Sequence, residues 1–252
     1  MLPTPSTDHV PFDRIYEPAE DSYLLLDTLS STTEADFLAS HFAPSTPSPL
    51  VVEIGTGSGV VLAFITAHVN HIFGRSDVVS LGVDINSHAT LATAKTVALA
   101  CATERSIGKK TGFYLGNCIG DLTTPLKDAS VDVLIFNPPY VPTDELPTAP
   151  EKESQEMTKD ERYAVDSNLL ALSYAGGKGG MEVTERLLAE LPRVLSRRGM
   201  AYVLLCHQNK PEEIKDRVRK WGAEGGWAAD TVGDSGKVGG WEKLCIVRIW
   251  RP

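Results

Sequence analysis

The apolar run Val131-Asp132-Val133-Leu134-Ile135-Phe136 ends on Asn137-Pro138-Pro139-Tyr140, and this junction limits the fold more than any other stretch of the chain. A short run rich in β-branched and aromatic residues, stopped by a double proline, predicts a buried strand with an abrupt end. The residue before a proline is driven out of the helical region, so Asn137 is held extended. Neither proline after it carries an N–H. The outcome is a rigid corner that presents an amide side chain and carbonyl oxygens beside the ring of Tyr140. In an open α/β sheet the carboxyl end of a strand is where ligands bind, so the corner is the predicted reaction centre.

The rest of the chain alternates around that strand. Strands are predicted at Leu50–Ile54, Val78–Asp84, Lys109–Gly116, Met200–Cys206, Ala228–Val232 and Lys243–Trp250, with helices at Val60–His71, His88–Ala102, Ser167–Tyr174, Glu182–Leu195 and Pro211–Trp221. This order predicts an α/β fold: a mostly parallel seven-stranded sheet, helices on both faces, and an antiparallel C-terminal hairpin at one edge, joined by a glycine-rich loop. Residues 1–49 read as an irregular arm, a helix begun near Pro18 and a proline-rich linker at Pro44–Pro49, all packing on the core; residues 50–252 form the main domain, within one structural domain overall.

Composition narrows the partners. The chain has 252 residues, 42% of them hydrophobic, enough for one sizeable core. A net charge of -9 disfavours nucleic acid as the main partner. Cys101, Cys118, Cys206 and Cys245 are far apart and form no C-x-x-C pair, so reduced thiols are expected, with neither a disulfide framework nor a metal site. The N-terminus lacks a basic region followed by an apolar core, and no apolar stretch spans a bilayer. The expected location is cytoplasmic, with the nucleus as a second compartment.

Glu53-Ile54-Gly55-Thr56-Gly57-Ser58-Gly59 lies between a strand and a helix. A dinucleotide site wants a third glycine three places after the second, and that position is Val60. Glycines at alternate positions beside an acid suit an adenosyl ligand bearing an ammonium and a sulfonium, because a carboxylate attracts such cations and repels a diphosphate. A tight turn without a ligand is the competing reading. Asp84, before Ile85 at the end of the second strand, can accept ribose hydroxyls. Asp121-Leu122 precedes the fourth strand, where the acid either meets an adenine amino group or is simply solvated.

With these residues in hand, the chain resembles class I S-adenosylmethionine-dependent methyltransferases, with their Rossmann-like fold. Within them it is similar to the HemK-type glutamine methyltransferases, in the eukaryotic release-factor branch. The resemblance rests on Tyr16-Glu17-Pro18-Ala19-Glu20-Asp21, Glu53 to Gly59, Asn137 to Tyr140, and Ala175-Gly176-Gly177-Lys178-Gly179-Gly180 followed by Glu182. It implies S-adenosylmethionine as cofactor, held by Tyr16, Pro18, Asp21, Glu53, Gly55, Thr56, Gly57, Gly59, Asp84, Ile85, Asp121, Leu122 and Asn137. It implies Asn137, Pro138 and Tyr140 as catalytic residues, and Asn137 to Tyr140, including Pro139, as the substrate site. The substrate implied is the glutamine of the Gly-Gly-Gln loop in the class 1 peptide release factor. The partner implied is a small zinc-containing activator subunit in a heterodimer.

Two other acceptors fit the same corner: an adenine exocyclic amine in nucleic acid, and a lysine. The residues alone also leave open a dinucleotide oxidoreductase or a non-enzymatic module. Tyr140 covers a substrate amide or merely closes the strand end, and Tyr16 to Asp21 cap the cofactor site or merely start a helix. The insert Asp144–Asp166 carries eight acidic and three basic residues, and it reads as a solvated run or as a lid beside the corner. Near Thr111 to Gly116, Phe113 and Leu115 are expected to face a partner if that strand lies at the sheet edge.

Overall fold

The computed structural model describes residues 2–148, 157–222, 226–236 and 243–252. The middle of the acidic insert, 149–156, and most of the glycine-rich connection before the last strand, 237–242, lie outside the described residues. Seven strands are described: β1 (Leu50–Ile54), β2 (Val79–Asp84), β3 (Phe113–Ile119), β4 (Val131–Phe136), β5 (Leu195–Cys206), β6 (Ala228–Asp234) and β7 (Leu244–Trp250). They form one sheet in the order β3-β2-β1-β4-β5-β7-β6. The pairs from β3 through β5 are parallel, whereas β7 runs antiparallel between β5 and β6. The expected antiparallel hairpin is therefore present, with its second strand on the inside and β6 at the edge.

Strand order reverses between β1 and β4. The chain leaves β1 toward β2 and β3, then returns to lay β4 on β1's other side, with Ile54 opposite Phe136. A crevice opens at such a reversal, outside the carboxyl ends of the two strands. It receives the glycine loop from β1 and the Asn-Pro-Pro-Tyr corner from β4.

Alternate side chains divide the core between the two sheet faces, as a period of two requires. Val51, Val133 and Ile135 join Leu25, Leu29, Leu38, Phe64 and Ile72 on one face. Val52, Leu134 and Phe136 join Leu187, Leu191, Ile214 and Val218 on the other. The first face is covered by α1 (Glu20–Ser30), α2 (Thr32–His41), α3 (Val60–Ala67) and α4 (Val69–Phe73); the second is covered by α7 (Glu182–Val194) and α8 (Pro211–Val218). α5 (Ser87–Ser106) packs against α3, and α6 (Lys159–Tyr174) follows the corner.

Several elements differ from the sequence expectation. α2 was not expected, because its apolar positions are sparse; Ser31 caps it by accepting the Glu34 N–H. The single helix expected over Val60–His71 divides at His68 into α3 and α4. β3 lies later than Lys109–Gly116, since an edge strand shows no buried apolar run. α6 starts at Lys159, well before Ser167, on a capping box between Thr158 and Glu161. The arm has no regular element before α1, and it packs on the core through Val10 and Ile15, which meet Ala89 and Ala92 of α5.

Buried polar contacts fix α2 to the sheet. Glu34 takes two bonds from Arg248 Nη1, at 2.8 and 2.7 Å, and one from the Tyr202 hydroxyl at 2.8 Å. The Arg248 guanidinium also lies over the Phe37 ring, 3.6 Å from its centroid. No helix among the described residues is long and apolar enough to cross a membrane.

Candidate active site

A cavity of about 690 Å³ opens at the reversal point between β1 and β4. The glycine loop forms its floor. Gly55 and Gly57 have φ of +66° and +51°, and a Cβ on Gly57 would meet nothing within 4 Å, so the backbone is bare toward the cavity. Asp84 holds the loop in place: its Oδ2 accepts the Gly57 N–H at 2.9 Å and lies 3.4 Å from the Thr56 hydroxyl, while Oδ1 accepts the Asn86 N–H at 2.8 Å. Burial pushes the Asp84 carboxyl up from its ordinary range, opposed by those same bonds.

Glu53 lies beside it at the end of β1. It is buried, and its Oε2 accepts the Leu62 N–H at 2.9 Å. Burial pushes its carboxyl well above the ordinary range, the Leu62 bond pulls it down, and the charge of Asp84 pushes it further up. Among the described residues neither of these two buried acids has an ion-pair partner. A cation placed there stabilises both ionised forms.

The corner forms the opposite wall. Asn137 Nδ2 donates to Asp21 Oδ2 at 3.0 Å, and Asn137 Oδ1 is buried with no hydrogen-bond partner. Buried acceptors are rarely left unpaired, so an orphan on a side chain that lines the cavity marks a candidate ligand position. Tyr140, in contact with the core, closes the strand end. Gly180 must be glycine here, because a Cβ would lie 2.0 Å from the Tyr140 carbonyl oxygen. That close approach sets the glycine cluster behind the corner.

Of the residues singled out in the sequence, Tyr16, Asp21, Glu53, Gly55, Thr56, Gly57, Asp84, Ile85, Asp121, Leu122, Asn137, Pro138, Pro139 and Tyr140 line the cavity. Pro18 and Gly59 do not. Gly59 serves packing instead: its φ is +78°, and a Cβ there would lie 2.5 Å from the Cα of Thr93 in α5. The Asp121 carboxylate is half-exposed and paired with Arg186 of α7, and both residues line the cavity.

Other lining residues escaped sequence reasoning. Arg14 reaches the cavity from the arm and pairs with Asp166 of α6 at 2.9 Å, which ties the arm to that helix. Leu169, Leu172 and Tyr174 of α6 supply apolar wall. An arginine in a proline-rich arm carries no periodic signal, and Arg186 looks like any solvated helix residue.

A bare glycine turn, an acid at the end of β2, paired buried carboxylates and an orphaned amide oxygen at the end of β4, on this strand order, define a class I S-adenosylmethionine-dependent methyltransferase. The residues fit that cofactor: the acids suit its cationic amino acid portion, and the bare loop admits close approach.

No protein-family model matches the chain. Methyltransferase HEMK2 of Homo sapiens is 32% identical over 228 residues, covering 88% of this chain and 87% of its own. The eRF1 methyltransferase catalytic subunit mtq2 of Schizosaccharomyces pombe is 31% identical over 265 residues, covering 100% and 96%. A release factor glutamine methyltransferase of Caulobacter vibrioides is 29% identical over 150 residues, covering 60% of this chain and 43% of its own. The chain belongs to the family of HEMK2 and the eRF1 methyltransferase catalytic subunit, and it is an S-adenosylmethionine-dependent enzyme.

Proposed function

We propose that this enzyme methylates the side-chain amide nitrogen of a glutamine in the class 1 peptide release factor, within its Gly-Gly-Gln loop. The observation that carries the amide is the partnerless Asn137 Oδ1 at the cavity. The release factor is supported by the names of the relatives from S. pombe and C. vibrioides.

An amide nitrogen is a poor nucleophile because its lone pair is delocalised into the carbonyl. Its two N–H groups can be held by two acceptors, Asn137 Oδ1 and the Pro138 carbonyl. Held so, the nitrogen is fixed in one orientation, and its electron density rises as both protons are engaged. The ring of Tyr140 and the rigid prolines limit the amide's remaining freedom. S-adenosylmethionine, when bound, supplies an electrophilic methyl group. Catalysis is then positioning, which removes entropy from the barrier without covalent participation by the chain.

Purified release factor incubated with the enzyme should gain one methyl group, located by mass spectrometry on that glutamine. Methylation of a lysine or of adenine in its place would overturn the reading. Asn137→Ala should lower kcat by about 10²–10³, the usual cost of one aligned hydrogen bond to the reacting group. Cofactor affinity measured by calorimetry should persist, since the glycine loop and Asp84 are untouched.

The activator subunit is assigned to the β3 edge. Phe113, Leu115 and Ile119 are 62%, 66% and 65% exposed on this strand, which pairs only with β2 among the described residues. Large apolar side chains on an open edge suit an added strand or an apolar partner surface. Phe113→Lys together with Leu115→Lys should abolish co-purification of a co-expressed zinc-containing subunit. It should also raise the solubility of the chain expressed alone. Unchanged co-purification would place the partner elsewhere.

A further inference from the structure

Asp21 is the second residue of α1 and 4% exposed. Its Oδ1 accepts the Ser22 N–H at 2.6 Å and lies 3.3 Å from the Ser22 hydroxyl, which leaves Oδ2 for Asn137 Nδ2 at 3.0 Å. The two ends of an asparagine amide have nearly the same shape but opposite hydrogen-bonding character. Which end faces the cavity is therefore decided by what the other end meets. A carboxylate only accepts, so the end of Asn137 that meets Asp21 must be the NH2, and the oxygen is the end left over on a side chain that lines the cavity. That oxygen is the buried atom left without a partner.

We propose that Asp21 is a positioning residue for methyl transfer: through Asn137 Nδ2 it fixes the Asn137 amide with its oxygen outward, and so makes the corner an acceptor of N–H groups and not a donor. The proposal rests on the amide reading of the corner. It gives Asp21 a role beyond that of a favourable acid in the first turn of a helix, a place where negative charge is stabilised in any case. It also explains why an acid lies buried at this point. The negative carboxylate polarises the Asn137 amide and strengthens its oxygen as an acceptor, as charge-assisted bonds in a chain do.

The test is a double-mutant cycle between Asp21→Asn and Asn137→Ala, read as kcat on release-factor glutamine, with S-adenosylmethionine affinity measured separately by calorimetry. Asp21→Asn keeps the shape but brings an NH2 that can donate, so Asn137 is released to turn over. The expected result is a fall in kcat of about 10²-fold, comparable to the loss of one aligned partner of the reacting group. With S-adenosylmethionine saturating, so that any contact of Asp21 with the cofactor is kept out of kcat, little further loss should appear in the Asn137→Ala background, because contacting residues that act as a unit are not additive. Asp21→Glu, which remains acceptor-only, should keep more activity than Asp21→Gln. This second pair decides the matter if Asp21→Asn does not fold. Equal losses from Asp21→Asn in both backgrounds, or Gln and Glu variants of equal rate, would overturn the proposal. If the wild-type enzyme does not methylate glutamine, the amide reading itself fails. Glutamine methylation left intact by Asp21→Asn sinks the positioning role alone.

Discussion

Replacing the target glutamine of the release factor by glutamate is expected to abolish methyl transfer, with a loss on the order of 10⁴–10⁵ in kcat/KM. A site built to hydrogen-bond two N–H groups strongly rejects an analogue that lacks them, because its own buried groups are then left unpaired. Here both polar groups of the corner accept. Asn137 Oδ1 is buried and has no donor within the protein. Behind Asn137 stands the Asp21 carboxylate, so a substrate carboxylate would bring a second negative charge into the same wall. Glutamate also offers oxygen and no nitrogen to the methyl group. Single-turnover assays on paired glutamine and glutamate substrates, with products resolved by mass spectrometry, measure the ratio. Comparable rates on the two would mean that the corner does not read the amide.

The features behind that expectation were unevenly legible in the sequence. β1, β4 and the corner were readable because an apolar run stopped by glycine or proline states both where a strand lies and where it ends. β3 was displaced because an edge strand exposes Phe113, Leu115 and Ile119 and loses the burial signal that defines the others. Gly59 was assigned to the cofactor because a glycine pattern records only that a side chain is forbidden. Whether a ligand or a neighbouring helix forbids it is a tertiary fact, and here the neighbour is Thr93 of α5. The arginines were invisible for a related reason. Arg14 and Asp166 are 152 residues apart, and Arg186 meets Asp121 only after α7 docks on the sheet. The site's chemistry sits at strand ends and can be read locally, whereas its rim is assembled by the fold.

α2 is the other element that periodicity missed, and its anchoring leads to the largest expected loss of stability. Of its ten residues only Ala35 and Leu38 are buried apolar side chains, too few to specify a docked helix by hydrophobic pattern. Glu34 replaces the missing pattern. It is 2% exposed and accepts from both Arg248 of β7 and the Tyr202 hydroxyl of β5, two adjacent strands of the sheet beneath it. Glu34→Ala leaves the guanidinium of Arg248, a residue only 9% exposed, and the buried Tyr202 hydroxyl without their acceptor. Removing one partner of a buried ion pair costs about 3–5 kcal/mol, because the remaining charge has lost both its water and its counter-charge. In a domain of this size that corresponds to a fall in Tm of roughly 10 °C. The stacking of Arg248 on Phe37 and Trp250 offsets part of the loss without supplying an acceptor. Glu34→Leu combined with Arg248→Met and Tyr202→Phe should recover most of the stability, since apolar replacement of a whole buried ionic cluster is often neutral and no buried hydroxyl is then left without its acceptor. Thermal denaturation of the two variants beside the wild type tests the point. A loss below about 1 kcal/mol for Glu34→Ala, the value of an exposed ion pair, would show that water reaches Arg248 and that α2 is held without this ion pair.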